Sequence, residues 1–120
     1  MTEERRPGRI EISPTAIASI ASQAVLECYG VVGMASHTLR NGLAELLRPT
    51  DNPRKGVEVG FVEDQITIDL YVIMEYGVRV SEVAQNIMAS VKFSVEKALG
   101  IPVAEVNVHV QGLRMSDHAQ

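Results

Sequence analysis

The sequence predicts a two-layer α+β fold, a small mixed β-sheet covered by two main helices, with room for a short third helix. Three observations carry this expectation. Ile66-Thr67-Ile68-Asp69-Leu70 alternates apolar and polar, and the apolar character continues through Tyr71-Val72-Ile73-Met74, which is the period of a strand. After Gly77, the residues Val80, Val83, Ala84, Ile87, Val91, Val95, Ala98 and Leu99 follow the three-and-four spacing of one helical face. Ile17, Ile20, Ala21, Ala24, Val25 and Cys28 mark a second stripe of the same period nearer the N-terminus.

In chain order, Arg9-Ile10-Glu11-Ile12 alternates briefly and reads as a short strand. Ser13-Pro14 then starts a helix, Ser as the N-cap and Pro at the first helical position. Gly30 is placed to stop that helix. Val31-Val32-Gly33-Met34 reads as a brief strand or tight connection, and Leu39, Leu43, Leu46 and Leu47 suggest a weak helix within residues 36–48, interrupted by Asn41-Gly42. Residues 49–56 are dense in turn formers. Val57, Val59 and Phe61 alternate, and Glu63-Asp64 separates them from the long strand as in an antiparallel hairpin. Gly100 and Pro102 end the long helix. Val106, Val108 and Val110 form a last strand that Gly112 closes. If this strand and the central one are parallel, the helical crossover between them is right-handed.

At 120 residues the chain fits one domain with a core that needs no metal or disulfide. The expected organisation is a flexible segment over residues 1–8, a domain over residues 9–113 and a flexible tail over residues 114–120. The 46% hydrophobic and 22% charged content is ordinary for a globular protein. A net charge of −4 argues against a surface built mainly to hold nucleic-acid phosphates. The polar N-terminus has no apolar signal region, and no uncharged apolar run approaches the roughly 18 residues of a membrane span. A cytoplasmic protein is expected, with any membrane association peripheral and through a partner.

Catalytic constellations are not evident. His37, His109 and His118 show no ligand spacing to Cys, Asp or Glu, so no metal is expected, and no cofactor motif is present. His109 falls on the polar face of the last strand. Cys28 is the single cysteine, precludes an internal disulfide, and on its apolar stripe reads as a small buried hydrophobe. Asp64, Asp69 and Glu75 read as solvated carboxylates rather than an acid–base pair.

Several segments together carry a family resemblance. Gly8-Arg9-Ile10-Glu11-Ile12-Ser13, Gly30-Val31-Val32-Gly33-Met34, Lys55-Gly56-Val57-Glu58-Val59, Ile68-Asp69-Leu70-Tyr71-Val72, Glu75-Tyr76-Gly77-Val78 and Val106-Asn107-Val108-His109-Val110-Gln111-Gly112-Leu113 resemble, in order, the signature segments of the bacterial alkaline shock protein family. The resemblance spans residues 8–113. It implies a non-enzymatic protein of envelope stress, in some members self-associating and recruited to the membrane by an anchored partner protein. Residues 37–52 depart from the pattern in being longer and richer in Leu, and the tail after Leu113 is short.

Contacts with proteins are therefore the expected mode of action. Phe93 lies on the long helix opposite Val91 and Val95, and Leu26 lies off the first helical stripe. Tyr71 and Ile73, with Glu75, line the second face of the central strand. These residues, Phe93, Leu26, Tyr71 and Ile73, form the candidate interaction surface for a homo-oligomer or partner, unless the helix within residues 36–48 covers the strand face. The alternative is a small RNA-binding module. Gly30 and Gly33 share the Gly-x-x-Gly spacing that clamps a nucleic-acid backbone, and Arg5, Arg6 and Arg9, or Arg48, Arg54 and Lys55, are the basic residues that would attract an anionic surface. Two Val residues at the centre of that motif supply no charge.

Overall fold

The long alternating stretch is the hub of the sheet. The computed structural model describes residues 7–36 and 50–115, and its elements are α1 (Pro14–Leu26), β1 (Val31–Met34), a 3-10 turn (Pro53–Gly56), β2 (Val57–Val62), β3 (Gln65–Glu75), α2 (Val80–Leu99) and β4 (Val103–Arg114). β4 pairs parallel with β3 from Ile66 to Glu75. β2 pairs antiparallel with β3 over Gln65 to Leu70, and β1 pairs antiparallel with it over Val72 to Met74. A strand has two edges, so β1 and β2 lie end to end along one and β4 fills the other. The sheet is mixed, as predicted.

Alternation along β3 decides where the core sits. Ile66, Ile68, Leu70, Val72 and Met74 are fully buried, and they share one cluster with Ile17, Ala21 and Val25 of α1 and Val83, Ile87, Val91 and Val95 of α2. Both helices thus cover the same face of the sheet. Each such side chain contributes on the order of 1.5–3 kcal/mol of apolar transfer, offset by the entropy of ordering it. Ala98, on the predicted α2 stripe, is exposed near the helix end.

Local chemistry sets the boundaries. Ser13 Oγ accepts the Ala16 N–H at 3.1 Å, with Pro14 at the first helical position. At the far end of α2, Gly100 adopts φ 73° and its N–H donates to Glu96 O at 2.8 Å. The β2–β3 hairpin turns through Glu63 and Asp64, both at positive φ (50° and 69°), the geometry whose twist matches the paired strands. α2 is also tied to β4 by side chains. Glu96 Oε2 accepts the Val103 N–H at 2.9 Å, Lys92 Nζ donates to Val103 O at 3.0 Å, and the two side chains lie 3.3 Å apart.

Three sequence expectations are corrected. Residues 9–12 are not a strand. Ile12 instead occupies the position before the N-cap of α1, where a hydrophobic residue packs against the fourth helical residue, Ile17. Ile12 does pack against the core cluster that contains Ile17, while Ile10 is exposed. α1 stops at Leu26, before Gly30. The chain leaves it through a turn in which the Cys28 N–H donates to Val25 O, and Gly30 takes φ 90° where a Cβ would meet Val83 at 3.1 Å. Finally, Gly112 does not close β4. A bulge between the pairs Val72–Val110 and Ile73–Gly112 absorbs Gln111, and pairing resumes to Arg114. The helix expected within residues 36–48 falls largely outside the described residues.

Candidate functional site

The four candidate residues divide between the two faces of the molecule. Phe93 and Leu26 belong to the helix layer, whereas Tyr71 and Ile73 point to the other side of the sheet, so no single surface unites them.

In the helix layer, Phe93 is 64% and Leu26 41% exposed. Phe93 stands two residues from both Val91 and Val95, on the opposite side of α2 from the buried stripe. Lys97 Nζ sits 5.6 Å from the centre of its ring, a cation–π approach. Phe93 and Tyr29 border a groove between α1 and α2, with Ala24, Cys28, Ser90 and Ser94 among its walls. Tyr29 is 79% exposed and was missed at sequence level, because it lies beyond the helical stripe in a segment without periodicity. Cys28 is half-buried in this layer, its thiol donating to Ala24 O at 3.4 Å.

On the other sheet face, Ile73 has no accessible area. It lies opposite Gly33 on one side and Gly112 on the other, and a side chain without exposed area offers nothing to a partner. Tyr71 is half-buried and stacks on His109, centroids 4.5 Å apart and planes 12° apart. His109 Nε2 lies 2.9 Å from Asp69 Oδ1, and Asn107 Nδ2 donates to the same oxygen at 3.2 Å. Glu58 stands directly across from Asp69. Burial, and then the carboxylates of Glu58 and Asp69, push the Tyr71 phenol above its ordinary pKa. His109 and Asp69 are thus linked rather than separately solvated. Matching parity in two strands was the sequence signal for this cluster, but reading it needs the β3–β4 register.

The arrangement orients an imidazole with a carboxylate, half of an acid–base relay. The single thiol lies across the sheet in the helix layer, and no group of three or more metal-ligating side chains occurs among the described residues. The Gly-x-x-Gly segment is built into the sheet. Gly30 ends the turn after α1 and its O accepts the Glu75 N–H at 2.8 Å, while residues 31–33 run in β1 with Gly33 buried opposite Ile73, so the segment is tied to the sheet rather than offered to phosphates. Among the described residues, no helix is long and apolar enough to cross a membrane.

Comparison with known proteins follows the same lines. The model of the alkaline shock (ASP23) family, described as having a cell envelope-related function, matches residues 2–115. The chain is 44% identical over 111 residues to the uncharacterized protein YloU of Bacillus subtilis (strain 168), covering 92% of each chain. It is 40% identical over 111 residues to the uncharacterized protein Spy1614 of Streptococcus pyogenes serotype M6, covering 92% of this chain and 91% of that one. A stress response regulator gls24 homolog of Streptococcus pyogenes serotype M3 is 26% identical over 110 residues, which are 92% of this chain and 61% of that protein.

Proposed function

The chain belongs to the alkaline shock family, associated with the cell envelope and, through its gls24-type relatives, with stress response, and from that premise we propose that it is a non-enzymatic scaffold that self-associates. The observation that carries this reading is the pair of exposed aromatic rings, Phe93 and Tyr29, on the two sides of the α1–α2 groove. Aromatic side chains on concave, partly polar surfaces are the anchors protein interfaces use. A membrane-anchored protein is the further partner this reading admits, and the same surface would serve it.

Light scattering coupled to size exclusion across a concentration series tests the proposal. The expected result is a mass that rises with concentration for the native chain. Phe93→Asp is expected to lower the associated fraction while leaving the circular dichroism spectrum and urea midpoint unchanged. A monomer mass at every concentration would overturn self-association.

A further inference from the structure

We propose that the outer edge of β4 pairs antiparallel with the same edge of a second copy, joining two sheets about a two-fold axis at His109. The proposal rests on the self-association reading and adds to the helical groove a second contact, at the sheet edge.

Among the described residues β4 pairs with β3 alone. At its start, the N–H and C=O of Val103 are engaged by Glu96 and Lys92, but the strand then runs on to Arg114. Natural proteins guard such an edge with charged side chains, prolines or early bulges. Residues 106–113, Val-Asn-Val-His-Val-Gln-Gly-Leu, contain no Asp, Glu, Lys, Arg or Pro, and the bulge at Gln111 comes late.

The strand is complementary to itself in one register. The β3 partners fix which β4 residues share a face. Glu105, Asn107, His109, Gly112 and Arg114 stand opposite Thr67, Asp69, Tyr71, Ile73 and Glu75, and Val106, Val108, Val110 and Leu113 stand opposite Ile68, Leu70, Val72 and Met74. An antiparallel pair centred on His109, with Gln111 bulged out of each strand as it is against β3, then sets Glu105 of each copy opposite Arg114 of the other. On the helix-covered face, Val108 meets Val110 and Val106 meets Leu113. On the outer face, Asn107 meets Gly112, and the two imidazoles, each held by its own Asp69, meet at the axis.

Other registers lose this match. A one-residue slip sets outward residues against inward ones. A two-residue slip leaves Glu105 without an opposite charge. In the single chain Arg114 has no carboxylate partner among the described residues, and Glu105 accepts only a 3.5 Å contact from Asn107.

The helix side supplies an independent fit. A shallow cleft beside Val106 is walled by Gln85, Met88, Ala89 and Lys92. Leu113, 44% exposed in the single chain, would enter that cleft from the second copy, because it stands opposite Val106 in the proposed register.

Charge reversal tests the register. Glu105→Arg and Arg114→Glu each set like charges opposite one another twice in a homodimer, and each is expected to weaken dimerisation about tenfold or more. An equimolar mixture restores both opposite-charge pairs, because one chain then carries arginine and the other glutamate at both positions. The dimer mass is expected to return on mixing, measured by light scattering at fixed salt with circular dichroism confirming that each variant is folded. If the native chain associates and the single variants do so equally, or if mixing restores nothing, the edge pairing is overturned while self-association stands. If the native chain remains monomeric throughout, both readings fall.

Discussion

Tyr71 and His109 lie directly opposite each other on parallel strands β3 and β4, ring over ring at 4.5 Å. The stack closes over a polar row in which Asp69 receives both His109 and Asn107. Its geometry joins two segments that are distant in sequence, so it reports on the tertiary pairing rather than on either strand alone.

A double-mutant cycle on Tyr71→Ala and His109→Ala measures that contact. The expected coupling from urea unfolding is about 0.5–1.5 kcal/mol. Additive single effects would mean that the rings are merely adjacent.

The Glu96 carboxyl is held below its ordinary pKa, first by the hydrogen bond from the Val103 N–H, which outweighs the opposing effect of burial, and further by Lys92. A carboxylate with a lowered folded value contributes stability that is complete above its unfolded pKa and is lost as pH falls through the folded one. Glu96→Gln keeps an acceptor for Val103 but removes the charge. Its urea midpoint is expected to lie below the native one at about pH 7 and to approach it as pH falls through the lowered folded value. A gap that persists unchanged in acid would assign the effect to geometry instead of charge.

Gly56 packs against β1 with no room for a methyl group. A Cβ there would sit 2.8 Å from both Ala35 O and Met34 Cβ, and neither backbone nor Cβ can swing aside. Gly56→Ala is expected to cost about 1–3 kcal/mol in urea unfolding. Gly8→Ala, with nothing within 4 Å, is the control and should change little.

Leu70 is fully buried where β3 meets both β2 and β4. Leu70→Ala is expected to cost about 2–5 kcal/mol. That is a large part of the roughly 5–15 kcal/mol available to a domain, so the thermal midpoint should fall by many degrees.

How much of this was legible depended on whether the deciding interaction was local. The caps at Ser13 and Gly100, the hairpin at Glu63 and Asp64, and the α2 stripe were readable because neighbours within a few residues determine them. Phe93 was readable for the same reason, since its angle on α2 follows from its distance to Val91 and Val95. The order of strands was not, because β1 and β2 share one edge of β3 only through pairings distant in sequence. Ile12 alternates like a strand residue, yet its use is to pack at the start of a helix. His109 looked like a solvated polar-face residue because its two partners, Asp69 and Tyr71, come from another strand. Ile73 shares parity with Tyr71, and parity alone does not distinguish its full burial from the partial exposure of its neighbour.

The double flanking of β3 also sets a hierarchy of exchange with solvent deuterium. Amides near Ile68 and Val72 have a strand on either side and a helix layer over one face, so their protons are released only when the whole molecule opens. Those along the side of β4 that pairs with no strand among the described residues are released by local fraying. Protection factors should therefore drop steeply from β3 to β4 across a single strand spacing. A rise in the β4 values with protein concentration would trace the edge being covered.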